Sequence, residues 1–131
     1  MRVVFDTNVF VSAFVFPGGI ASWAMDRIVD RRDTLVVSKP IIDETIGILG
    51  RKFGRHDEEL ARTALFMADL GDVVVPDLTL TVLADDRDNR IVECAVAGDA
   101  RIIVTGDKAM LSLGAYRGIV VSTLSDYVDT V

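Results

Sequence analysis

Five short runs of consecutive apolar residues constrain this chain most: Val3-Val4-Phe5, Leu35-Val36-Val37, Val73-Val74-Val75, Ile102-Ile103-Val104 and Ile119-Val120-Val121. Each is short, rich in β-branched residues and bounded by polar or turn residues, as a strand is. A strand with one wet face alternates apolar and polar residues. These runs do not alternate, so both faces of their sheet are expected to be covered. Helix-patterned segments separate them. The order predicts an α/β fold, a three-layer α/β/α sandwich around a central parallel sheet of roughly five strands.

The 131 residues suit a single domain over 1–131, and a half-hydrophobic composition supplies a sizeable core. No repeat, linker or low-complexity segment interrupts it. Val9 to Phe16 reads as a short helix or a buried turn, broken by Pro17-Gly18-Gly19. Ile20 to Arg32 is helical, with Ile20, Trp23, Ala24, Arg27, Ile28 and Arg31 in register. Ser38 is a candidate N-cap for a helix from about Pro40 to Phe53, whose apolar arc is Ile42, Ile46, Leu49 and Phe53, widened on one side by Ile41 and Ile48, with Glu44 at its border. A turn at Gly54–Asp57 leads to a helix ending near Leu70. A later helix runs from the polar segment Ala84–Asn89 to Ala97, ended by Gly98. Thr123 to Asp129 is a last short helix.

Acids outnumber bases by 20 to 14, for a formal charge of −6, which argues against non-specific duplex binding. Carboxylates gathered around divalent cations would change that local sign. No apolar run reaches the roughly 20 residues of a membrane span, and Asp6 and Asn8 interrupt any leader-like opening. Cys94 is alone, which fits a reducing, cytoplasmic setting, and its helical neighbours make it a core residue. His56 falls in a turn and reads as a surface or cap residue.

Four acids stand apart by position. Asp6 and Asp107 each follow an apolar strand, so both belong at the same edge of a parallel sheet, where ligands collect in open α/β folds. Asp88 shares a helix face with Ile91, Val92 and Ala95, and Glu44 borders an apolar arc. Taken singly, Asp88 reads equally well as a helix cap and Asp107 as a turn or cap residue. Asp6 has no obvious helix to cap. Brought together, four carboxylates repel and raise one another's pKa unless hard cations sit among them. Mg²⁺ and Mn²⁺ favour such oxygen ligands and assist phosphodiester hydrolysis without a His or Lys base.

Val-Val-Phe-Asp6-Thr-Asn-Val-Phe-Val-Ser resembles the opening of PIN domains, which are metal-dependent ribonucleases. Ser38-Lys-Pro-Ile-Ile-Asp-Glu44, Asp85-Asp-Arg-Asp88-Asn89-Arg-Ile-Val-Glu93-Cys-Ala and Ile-Ile-Val-Thr105-Gly106-Asp107-Lys-Ala-Met-Leu complete the set, in order and over essentially the whole chain. The subgroup it most looks like is the toxin component of bacterial toxin–antitoxin systems. The resemblance implies that Asp6, Glu44, Asp88 and Asp107 bind one or two Mg²⁺ or Mn²⁺ ions and hydrolyse phosphodiesters of single-stranded RNA. It makes Asn8 and Thr105 supporting polar positions and Asp85 an extra acid. It also implies a cognate antitoxin and a homodimer, for which Val9–Phe16 and the helix around Trp23 are candidate surfaces, with core packing the default.

For phosphate contacts the best candidates are Arg27, Arg31 and Arg32, with Arg51, Lys52 and Arg55. A solvated basic helix end explains them equally well. A phospho-receiver signalling module agrees in length, fold class and strand-end acids, but Asp6 lacks the early acid partner such a module uses. A haloacid dehalogenase-type phosphatase would need a second aspartate in Asp6-Thr7-Asn8. A PIN-fold binding module without catalysis would not need the intact acids.

Overall fold

The computed structural model describes residues 1–130. The chain runs β1 (Arg2–Phe5), α1 (Thr7–Val15), α2 (Ile20–Val29), β2 (Thr34–Ser38), α3 (Lys39–Phe53), α4 (Asp57–Leu70) and β3 (Asp72–Val74). It continues with α5 (Asp86–Ala97), β4 (Ile102–Val104), α6 (Lys108–Leu113), β5 (Ala115–Tyr116), β6 (Ile119–Ser122) and α7 (Leu124–Val128).

The sheet has six strands in the order β3-β2-β1-β4-β6-β5. All pairings are parallel except β5 with β6. Successive strand residues face opposite sides, and Val3, Val4 and Phe5 are all fully buried, so both sides of β1 are covered. The expected sandwich is therefore present, with one short antiparallel edge strand added. From β1 the chain builds outward to β2 and β3, then crosses to β4 on the other flank. The reversal between β1 and β4 is a topological switch point, where a crevice opens at the carboxyl ends of the strands.

α1 is a helix rather than a buried turn, and it begins directly after Asp6. It meets α2 at 101°, and no single helix among the described residues is long and apolar enough to cross a membrane. The apolar face of α2 is rotated from the sequence expectation, and that of α3 centres on the side that Ile41 and Ile48 widen. α2 buries Ala21, Ala24, Met25 and Ile28, while Trp23 is 57% exposed and Ile20 is also exposed. α3 buries Ile41, Thr45, Ile48 and Leu49, and Phe53 faces solvent. Leu49 and Ile48 pack with Val11, which fixes α3 against α1. α5 lies against the sheet with Ile91, Val92, Cys94 and Ala95 buried. Gly98 ends it where a Cβ would come within 2.2 Å of a Val36 methyl, so only glycine permits that approach to β2. Cys94 is a core residue, its thiol pushed up to about 12 mainly by burial. His56 is exposed and does not cap α4 with its side chain.

Candidate metal-binding active site

β1 and β4 run side by side, with the Asp6 backbone N–H donating to the Val104 carbonyl at 2.9 Å. The residues that follow them therefore lie together. Asp6 holds the N-cap position of α1, yet its side chain makes no cap hydrogen bond to that helix's first turn. Instead the Thr105 hydroxyl donates to Asp6 Oδ2 at 2.6 Å, and the same Oγ1 accepts from the Asp107 backbone N–H at 3.0 Å. One buried hydroxyl thus ties the two strand-end acids together. Asp107 does cap α6, its Oδ1 accepting from the N–H groups of Ala109 and Met110 at 2.7 and 3.3 Å. The cap fixes the carboxylate and leaves Oδ2 uncommitted.

Helices bring in the other acids. Glu44 stands on the second turn of α3 and accepts from the Thr7 hydroxyl at 3.4 Å. Asp88 lies on the buried side of α5. It is not the helix cap; Asp85 is, accepting from the Arg87 N–H at 3.0 Å. From α5, Asn89 accepts from Leu83 N–H and donates to the Leu83 carbonyl in the preceding loop, and Glu93 accepts from Leu80 N–H at 2.8 Å. These bonds pin the loop that carries Asp85.

Asp6, Glu44, Asp85, Asp88 and Asp107 line one cleft of about 200 Å³, joined by Asn8, Lys52 and Arg87. A larger hollow of about 520 Å³, between Asp99, Arg101 and Arg117, lies at the other edge of the sheet and holds a single acid. The acids in the cleft feel one another. Burial raises the pKa of Asp6, the Thr105 hydrogen bond works against it, and the Asp107 charge raises it further. Glu44 is raised by burial and by Asp6, against the pull of Arg87. Asp88 is pushed up to about 6 by burial, then by Asp107, Asp6 and Asp85.

Among the described residues no three of these side chains already form a tight coordinating set. The donors present are all carboxylate and amide oxygens around a partly buried, under-neutralised space. That is the chemistry that suits Mg²⁺ or Mn²⁺ and not a thiolate- or imidazole-seeking metal.

The basic candidates divide sharply. Lys52 lines the cleft. Arg27 is a correction: it is 7% exposed, pairs with Asp33 at 3.1 Å, donates to the Thr130 carbonyl and stacks on the Tyr127 ring. It is a core ion pair and unavailable to phosphate. Arg31 and Arg32 follow α2 at the amino end of β2, the sheet edge away from the acids. Arg51 lies over Gly47, and Arg55 donates to the Phe14 carbonyl at 3.1 Å in a separate groove. The cation that sequence reasoning missed is Arg87. It reaches Glu44 at 3.9 Å and Asp85 at 2.9 Å. Its only sequence signal is its place two residues after a capping aspartate.

Residues 2–109, which include all four acids, match the PIN domain family. The chain is 30% identical over 118 residues to the uncharacterized protein MJ1680 of Methanocaldococcus jannaschii, covering 86% of this chain and 75% of that one. Its fold is similar to the crystal structure of VapBC2 from Rickettsia felis bound to a DNA fragment from their promoter. There the TM-score is 0.66 at 13% identity, over 94% of this chain and 98% of the other. VapBC-1 from nontypeable Haemophilus influenzae gives 0.65 at 17% identity, over 95% and 99%. At these identities the likeness is one of fold.

Proposed function

Because this chain belongs to the PIN domain family, whose members are generally nucleases, we propose that the acid-lined cleft is the active site of a divalent-metal-dependent endoribonuclease cleaving single-stranded RNA. The observation that carries the reading is the convergence of Asp6, Glu44, Asp88 and Asp107, from four separate segments, on one cleft at the switch point between β1 and β4. These four carboxylates would hold one or two Mg²⁺ or Mn²⁺ ions. The chemistry such an ion would supply, when bound, is neutralisation of phosphodiester charge and activation of water for hydrolysis.

The chain's own groups do the rest. Thr105 orients Asp6 through its short hydrogen bond, and Asp107 is held still by its cap on α6. Asn8 borders the cleft and offers an amide to a substrate oxygen. Lys52 and Arg87 supply the positive charge that positions an RNA phosphate beside the acids. The acidic net charge does not oppose this, because the cations that matter are local.

The likeness to VapBC2 and VapBC-1 supports reading the protein as the toxin of a toxin–antitoxin pair. Exposed Phe16, Ile20, Trp23 and Phe66 offer apolar surface for an antitoxin or for a second copy in a homodimer. The test of the activity is cleavage of a panel of RNAs with Mg²⁺, Mn²⁺ or chelator, using Asp6→Asn as the control. Cleavage is expected to vanish with chelator and to fall about 10²-fold or more in Asp6→Asn, the loss of several kcal/mol of transition-state stabilisation. Equal products from both proteins overturn the assignment.

A further inference from the structure

Arg87 stands where the cleft opens to solvent. Its side chain is 68% exposed, against 23% for Glu44. Asp85 grips it with both carboxylate oxygens, Nε donating to Oδ1 at 3.2 Å and Nη2 to Oδ2 at 2.9 Å. From that tether Nη1 reaches Glu44 Oε1 at 3.9 Å. The two contacts differ in kind. The pair with Asp85 is bidentate and doubly hydrogen-bonded. The contact with Glu44 lies at the outer limit of an ion pair and is open to water, so it is weak and easily exchanged.

Five carboxylates line the cleft against two cations, Lys52 and Arg87. Among the described residues Lys52 makes no ion pair, so Arg87 is the cation that touches the acids. Resting on the reading of the cleft as a divalent-cation site, we infer that Arg87 is a built-in counter-cation that holds Glu44 until a divalent ion displaces it. A divalent ion carries twice the charge and binds carboxylate oxygen directly, so it takes Glu44. Arg87 does not leave, because Asp85 keeps it at the rim, where its freed Nη1 faces an incoming phosphodiester. Asp85 is then a tether whose oxygens are already engaged, rather than a metal ligand.

The test is Mn²⁺ binding without RNA, read as free Mn²⁺ by electron paramagnetic resonance. Arg87→Gln is expected to bind Mn²⁺ about three- to fivefold tighter than the unaltered protein, since the competing ion pair is gone. Lys52→Gln, which removes a charge from the same cleft without freeing Glu44, is expected to change affinity no more than about twofold. In a Glu44→Gln background, adding Arg87→Gln is expected to leave affinity unchanged, because there is no Glu44 carboxylate to release, which separates release of Glu44 from recruitment of Asp85. Unchanged or weaker binding by Arg87→Gln, when the unaltered protein binds Mn²⁺, overturns the inference and leaves the metal site standing. So does equal tightening by Lys52→Gln, or tightening by Arg87→Gln that persists in the Glu44→Gln background. Absence of Mn²⁺ binding in every variant at millimolar concentration overturns both the inference and the metal reading.

Discussion

Two aspartates at opposite ends of the sheet are almost equally buried, Asp6 at 6% and Asp33 at 7% exposure, and their chemistry diverges. Asp33, just before β2, is surrounded by donors. The Tyr127 hydroxyl donates to it at 2.7 Å, Arg27 at 3.1 Å and the Met1 amine at 2.9 Å. Burial pushes its pKa up, but those three partners outweigh it and the net shift is down. Asp6 has one side-chain donor, Thr105, and an acid for a neighbour, and its net shift is up. Burial alone therefore distinguishes nothing. A buried acid whose partners are complete belongs to the scaffold; one left short of positive charge marks a place built for something not in the chain.

The largest effect that can break this contrast is on stability. Asp33→Ala leaves the Arg27 guanidinium buried without its carboxylate and the Tyr127 hydroxyl without its acceptor. A loss of about 3–5 kcal/mol is expected from urea unfolding. Asp6→Asn keeps an acceptor for Thr105 and removes a repelling charge, so its stability should hold or rise by up to about 1 kcal/mol in metal-free protein. If the two variants lost stability alike, the division into scaffold and site would collapse.

The second effect is on pH dependence, and its sign differs between the two ends. The folded-state pKa of Asp88 is raised from 3.8 to about 6. Its proton is bound more tightly in the folded state, so its stabilising contribution is complete below about pH 4 and is lost as pH rises through 6. Asp6 and Glu44, also raised, act in the same direction. Asp33, lowered, contributes stability that is present at neutral pH and lost as pH falls through its folded value. Metal-free protein should therefore lose on the order of 2 kcal/mol between pH 4 and 7 through Asp88. Urea midpoints across that range measure it, and Asp88→Asn should flatten the slope. An unchanged slope in that variant would show that neither burial nor the neighbouring acids raise the Asp88 carboxyl in the folded protein.

How much of this was written in the sequence depends on distance along the chain. β1, β2, β4 and β6 were legible because each is a continuous apolar run, and the acids after β1 and β4 shared an edge as soon as the strands were parallel. Glu44 and Asp88 were legible from their places on helices. β5 was not, since two residues become a strand only by pairing with β6 across the Arg117–Gly118 turn. The buried face of α2 was read about a residue out of register and that of α3 too broadly, with Phe53 included, because both helices are apolar around much of their circumference and only packing selects the face. Arg27 carried a surface-type charge in a helical pattern, and its burial rests on Asp33, Tyr127 and Thr130, the last two about a hundred residues away. Arg87 was missed for the mirror reason: 43 positions separate it from Glu44, and only the fold brings the two to 3.9 Å.

The sharpest test bears on a single hydroxyl. Thr105→Val keeps shape and burial but removes both the 2.6 Å donation to Asp6 and the acceptor for the Asp107 N–H. Two buried polar groups lose a partner, for a destabilisation of about 1–3 kcal/mol. The same hydroxyl is what holds the two strand-end carboxylates in one arrangement. Metal affinity or cleavage should therefore fall about 10–100-fold, as when a group that orients a metal ligand is removed. Thr105→Ser restores the hydroxyl without the methyl and should recover most of that loss. A Thr105→Ser protein as defective as Thr105→Val would mean that the methyl group's packing, and not the bridge between Asp6 and Asp107, sets the geometry of the cleft.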